Sequence, residues 1–220
     1  MDQPDEPGAG DTRTTVLHWY DFICPFCYVA QHRNTILIEH GFQVAELAFQ
    51  AHPQIPLGGI PAGSREGPMY TTLELEAKEA GLPLHWPPRL PNSRKALAAA
   101  EWVRRNRPHA FSELYKELFE AHFVLGEDLE DIAVIDRHAS RSGVDIAALH
   151  LVLNDGSAQR LVRETEIIGR KYGVQGTPAW FLDQQVITGL RPAVDFERLA
   201  EYTSGSIART PSGSKISRVD

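Results

Sequence analysis

The chain has two cysteines, Cys24 and Cys27, and they are three positions apart. That spacing follows directly on an apolar, β-branched and aromatic run, Thr15-Val16-Leu17-His18-Trp19-Tyr20, which reads as a buried strand. After the pair, Val29, Ile36 and Leu37 give a helical apolar face over Tyr28 to His40, stopped by Gly41. A second strand is expected at Phe42 to Gln50. Strand, helix and strand within about 35 residues is the size of a βαβ unit. Two cysteines so close together exclude a disulfide framework, so whatever they do is done as one local pair.

The rest of the chain limits what surrounds that unit. Its 220 residues suffice for one well-packed core or one domain with a large insertion. The hydrophobic fraction of 42% and charged fraction of 23% are those of a globular protein. A net charge of −7 argues against nucleic acid or an anionic membrane as partner. No stretch approaches the roughly 20 apolar residues that span a bilayer. Residues 1–14 carry acids, prolines and glycines where a signal peptide would place basic residues and an apolar run, so the chain is expected to be cytoplasmic.

The middle is expected to be irregular, then helical. Residues 52–68 are rich in proline and glycine, Thr72 to Gly81 reads as a short helix, and Leu82 to Pro91 holds four prolines. Asn92 or Ser93 then caps the first of several helices: an alanine-rich segment, Phe111 to Phe119, Asp131 to Arg141, Asp145 to Leu153 and Ser157 to Tyr172. Glu113, Glu117 and Glu120 read as a solvated helix face, and His109, His122, His138 and His150 receive no role. β pattern returns at Ala179 to Leu182 and Val186 to Thr188, joined as a hairpin, followed by a helix at Asp195 to Tyr202. From Thr203 the chain is Ser-rich and is expected to be unstructured.

A Cys-x-x-Cys at the end of a strand and the start of a helix is chemically specific. Cys24 faces the unpaired N–H groups and the positive end of the helix dipole, which favour the nucleophilic thiolate. Pro25 suits the first helical turn. Cys24 is thus the expected attacking thiol and Cys27, one turn on, the resolving one. Zinc needs about four ligands, and His32, His40 and His52 are scattered, so no metal is expected.

The run Asp21 to Tyr28, the helical middle, and Gly176-Thr177-Pro178-Ala179-Trp180-Phe181 together resemble the DsbA-like oxidoreductases, with the nearest likeness to their cytoplasmic FrnE-like branch. The resemblance covers about Thr15 to Tyr202. It implies an α/β thioredoxin-like fold with a large α-helical insertion: residues 15–67 and 174–202 as the thioredoxin-like part, 68–173 as the insertion, 1–14 a leader and 203–220 a tail. It implies a redox-active Cys24–Cys27 disulfide, a cis bond before Pro178, and a substrate site at Thr177 and Pro178. As aromatic residues, Phe26 and Trp180 are candidate walls of a peptide groove.

Two positions depart from the family. Phe26 replaces a histidine between the cysteines of the periplasmic oxidant and cannot donate to a thiolate, so a less acidic Cys24 and a less oxidising pair are expected. His18 stands where many thioredoxins carry a buried acid, which makes it the candidate for proton transfer to and from Cys27. The expected partners are protein or peptide thiols and disulfides, or a small-molecule thiol with glutathione as co-substrate. No other cofactor is expected. The competing readings are a glutathione-dependent isomerase or transferase of the kappa-class or 2-hydroxychromene-2-carboxylate isomerase type, and a non-catalytic redox-sensing or chaperone module.

Overall fold

The computed structural model describes residues 14–207. A four-stranded sheet organises it: β1 (Thr15–Tyr20), β2 (Gln43–Ala48), and the hairpin of β5 (Ala179–Leu182) and β6 (Gln185–Thr188), in the order β2-β1-β5-β6. β1 and β2 run parallel, with Thr15 opposite Gln43 and Tyr20 opposite Ala48. The crossover between them is α1 (Pro25–Glu39), as a parallel pair requires. β5 is antiparallel to β1, with His18 opposite Trp180. The hairpin turns on Asp183 and Gln184, both at positive φ (48° and 60°), the twist that two-residue hairpin loops favour.

Alternation along β1 sends its side chains to opposite faces. Val16 packs with Ala30 and Leu37 of α1, with Trp180, and with Phe196 of α8 (Ala193–Ile207). Trp19 points the other way, to α7 (Ser157–Lys171), where its Nε1 donates to the Thr165 carbonyl at 3.1 Å. The Thr165 hydroxyl donates in turn to the Ala48 carbonyl at 2.6 Å. α7, grouped by sequence with the helical middle, therefore covers the sheet.

The other helices are α2 (Pro68–Glu79), α3 (Arg94–Asn106), α4 (Pro108–Phe123), α5 (Ile132–Arg141) and α6 (Ile146–Asn154). The alanine run of α3 (Ala96, Ala98, Ala99, Ala100) is wholly buried, because α3 packs against α4, α6, α7 and β2 at once and small side chains permit close approach. Asp131 and Asp145 cap α5 and α6, accepting from backbone N–H groups two or three residues on. Arg33 of α1 is buried, ion-paired with Glu76 of α2, and donates to the Arg191 carbonyl at 3.0 Å.

Several expectations are corrected. The proline-rich segments are not wholly irregular: β3 (Ile60–Pro61) and β4 (Arg89–Leu90) pair as a short antiparallel ribbon. Gly59 beside it sits at φ 66°, and a Cβ there would lie 2.6 Å from the Leu90 carbonyl oxygen. Neither expected cap of α3 is a simple one. Ser93 holds the N-cap position without a side-chain bond, while Asn92 accepts from the Arg94 N–H and also ties to Gln50 and Ile55. The last helix continues through Thr203, which is buried two turns beyond Phe196 and one turn beyond Ala200, so the start of the expected tail is helical. Residues 1–13 and 208–220, with the leader and most of the tail, lie outside the described residues.

Glu117 and His138, read as solvated face and roleless, belong to a partly exposed carboxylate clamp on a buried imidazole. His138 is 1% exposed, its Nδ1 lying 2.5 Å from Glu117 and its Nε2 2.6 Å from Glu127, joining α4 to α5. Among the described residues no helix is long and apolar enough to cross a membrane.

Candidate active site

β1 delivers the chain into the Asp21 to Cys24 turn, where the Cys24 N–H donates to the Asp21 carbonyl at 3.1 Å. Cys24 is the N-cap of α1, in extended conformation (φ −86°, ψ 112°), and Pro25 opens the helix. The Cys24 carbonyl accepts from the N–H groups of Cys27 and Tyr28 at 3.0 and 3.1 Å, so both sulfurs ride on the first turn. Cys24 is 8% exposed and Cys27 fully buried, and both are free thiols.

Their electrostatics differ as their places do. Burial is the largest single influence on Cys24 and pushes its thiol up. Hydrogen bonds from the Cys27 thiol and backbone N–H and from Thr177 outweigh it, and the net displacement is downward. Burial also dominates at Cys27, and the adjoining Cys24 adds to it, leaving that thiol well above its usual range. The sulfur at the rim is shifted toward the thiolate, and the buried one toward keeping its proton.

The opposite wall comes from far along the chain. The Thr177–Pro178 peptide bond is cis. The Thr177 carbonyl accepts from the Cys24 thiol at 3.4 Å, and the Thr177 hydroxyl is buried without a geometric hydrogen-bond partner. A groove of about 400 Å³ opens over Cys24, walled by Phe26, Thr177 and Gln175 on this side. Pro178 faces a different hollow, shared with Gly173 and Gly189. Trp180 is no groove wall: it is fully buried, edge-on to Phe196 and stacked on His18.

His18 is placed away from proton transfer. An indole nitrogen can only donate. Trp180 Nε1 donates to Asn34 Oδ1 at 2.8 Å, so the Asn34 amide nitrogen must face His18 Nδ1, 2.9 Å away. His18 therefore accepts at Nδ1 and carries its proton on Nε2, which is buried and unpartnered. Burial lowers its pKa to about 3. With its lone pair committed to Asn34 it is a neutral pin between β1, α1 and β5, which corrects its reading as a base for Cys27.

Sequence reasoning missed four neighbours. Asp21 is fully buried, accepts from the N–H groups of Ala51 (2.8 Å) and Ile23 (3.3 Å), and so braces the turn before Cys24. Burial raises its pKa and the backbone bonds only partly offset this. An acid inside an apolar run was the available signal. Glu46, opposite His18 on β2, is raised by burial to about 7. Asn34 and Arg65 left no mark in the pattern. Among the described residues no cluster suits a metal ion.

The chain matches the DSBA-like thioredoxin domain family over residues 15–202. Among curated proteins nothing matches. Among solved structures it is similar to a probable DsbA oxidoreductase from Streptomyces coelicolor, with 21% identity, 94% of each chain covered and a TM-score of 0.70. A 2-hydroxychromene-2-carboxylate isomerase is similar at 21% identity and TM-score 0.69, over 89% of this chain and 97% of that one. The cytosolic disulfide reductase DsbM from Pseudomonas aeruginosa, solved with GSH, is similar at 16% identity and TM-score 0.61, over 88% and 97%.

Proposed function

The chain belongs to the DSBA-like thioredoxin domain family, and on that premise we propose that it is a thiol–disulfide oxidoreductase working through Cys24 and Cys27. The observation that carries the reading is the paired asymmetry: a rim thiol pulled toward thiolate, in contact with a buried thiol pushed toward retention of its proton. That is the division of labour exchange chemistry needs.

In the oxidising half-reaction the Cys24 thiolate attacks one sulfur of a substrate disulfide RS–SR. A Cys24–SR bond forms, the S–S bond breaks, and RS⁻ leaves to take up a proton. Cys27 then loses its proton and attacks the Cys24 sulfur, forming Cys24–Cys27 and releasing the second RS⁻. Two electrons pass from the dithiol to the substrate, and the reverse sequence oxidises a dithiol. Thr177 and Phe26 line the groove where the substrate sulfur must lie.

Phe26 offers no hydrogen bond to the Cys24 thiolate, which suits a milder oxidant than a histidine-bearing pair. The reading includes a cytoplasmic setting, as for the cytosolic reductase whose fold this chain shares. A resolving thiol has no use in the isomerase or transferase chemistry of the 2-hydroxychromene-2-carboxylate type, so the position of Cys27 under Cys24 favours exchange.

The test is trapping. Cys27→Ser, treated with a disulfide, should accumulate a mixed disulfide on Cys24 seen by mass spectrometry, and Cys24→Ser should accumulate none. Accelerated insulin reduction by dithiothreitol should depend on Cys24. Absence of both results defeats the reading.

A further inference from the structure

The groove over Cys24 has a charged far wall. Arg65, from the proline- and glycine-rich segment after β2, lines it together with His52 and Tyr70, and none of its lining residues carries a carboxylate. The Arg65 guanidinium lies 5.7 Å from the Tyr70 ring centroid and 5.2 Å from that of Trp86, rings that themselves meet edge-to-face at 5.5 Å. Its Nε is buried without a hydrogen-bond partner, and among the described residues no carboxylate pairs with it.

An arginine so held is preorganised. Aromatic faces restrain the planar fork and strip part of its hydration while leaving its charge uncompensated. Nine of the twelve cationic or histidine ion-pair contacts among the described residues involve arginine; Arg65 stands outside this set. A guanidinium matches a carboxylate in two parallel hydrogen bonds, and such charge-assisted pairs are the strong ones. The groove volume of about 400 Å³ lies in the range that suits a small molecule better than a folded protein surface.

We propose that Arg65 recognises a carboxylate on the substrate, and that the preferred substrates at Cys24 are low-molecular-weight disulfides whose thiols carry carboxylate groups. This rests on the oxidoreductase reading and narrows it. The carboxylate anchors one half of RS–SR on Arg65 while its sulfur meets Cys24; the exchange steps and their electron balance are those given above, with the small disulfide as the oxidant.

The reduced protein is mixed in stopped flow with glutathione disulfide, which bears carboxylates, with neutral bis(2-hydroxyethyl) disulfide, and with cationic cystamine. Oxidation is followed by loss of thiolate absorbance. Each wild-type rate is divided by that of Arg65→Met, so that leaving-group chemistry cancels. The loss on glutathione disulfide should exceed the loss on the neutral reagent by about tenfold or more, and that on cystamine should be smallest. Arg65→Lys should recover part of it. In the wild type alone, added salt should slow glutathione disulfide more than the neutral reagent, a comparison that needs no variant.

Equal losses on all three reagents, or no extra salt sensitivity with glutathione disulfide, overturn the inference and leave the oxidoreductase reading standing. Failure of the wild type to react with any of the three also overturns this inference; the oxidoreductase reading falls only if mixed-disulfide trapping on Cys24 and Cys24-dependent insulin reduction are absent as well.

Discussion

The Cys24 sulfur lies 3.4 Å from the Thr177 carbonyl oxygen, across 153 positions of sequence. A thiol can donate to that oxygen; a thiolate cannot. The Thr177 hydroxyl, buried and without a partner, is the group that can turn to a thiolate and donate to it. Thr177 therefore meets both protonation states of Cys24 with a different atom.

Thr177→Val keeps the shape and removes the hydroxyl. Titration of thiolate absorbance should show the Cys24 pKa moving upward, because the hydroxyl available to donate to the thiolate, one of the influences that lower it, is gone. Exchange near neutral pH should slow correspondingly. An unmoved titration would take the hydroxyl out of the account.

Alkylation should separate the two thiols. At neutral pH iodoacetamide should modify Cys24 at least about tenfold faster than Cys27, since only the thiolate reacts, Cys27 is fully buried, and its pKa is pushed up. Peptide mapping reads the outcome; equal labelling would contradict the asymmetry.

His18 ties stability to acid. Its pKa falls from 6.5 to about 3 on folding, so the unfolded chain takes up a proton that the folded one refuses. Its contribution is complete above pH 6.5 and is lost toward pH 3, at about 1.4 kcal/mol per pH unit between. Urea unfolding of His18→Gln should show a flatter decline between pH 6 and pH 4 by about that slope. His122, lowered by burial to about 4, adds a second such decline in the wild type.

Glu46 works in the opposite sense. Burial raises its pKa from 4.5 to about 7. The neutral carboxyl's contribution is therefore complete below pH 4.5 and is lost as pH rises through about 7. Between those limits Glu46→Gln should gain on the wild type by up to about 3 kcal/mol, most of it present by pH 8. A constant difference across that range would place Glu46 in water.

Gly169 tests the fit of α7 on the sheet. A Cβ there would lie 2.9 Å from Trp19 Nε1 and 3.3 Å from a Phe49 ring carbon. Gly169→Ala gains about 1 kcal/mol of helix propensity, yet overpacking a filled core costs about 1–3 kcal/mol. The variant should melt at a lower temperature than the wild type.

Much of the fold was legible because its signals are local. Strand, Cys-x-x-Cys, helix, glycine stop and strand could be read from periodicity, and the hairpin from its turn. The β3–β4 ribbon was not legible, because two residues per strand leave no period and the partners are some 30 positions apart. The end of α8 was missed because its polar composition hid the spacing that buries Thr203 below Ala200 and Phe196.

The sequence by itself determined that Cys24 and Cys27 lie together as one local pair and that Cys24 sits where a strand becomes a helix. Only the tertiary structure decided the company they keep. Trp180 donates to Asn34 from 146 positions away, and that one bond turns His18 from a candidate base into a neutral pin. Arg65 reaches the Cys24 groove from a segment without periodicity, and Thr177 reaches it from the other end of the fold. Burial, pKa and hydrogen-bond direction are set by whichever atoms pack nearby, and along this chain the decisive neighbours are distant in sequence.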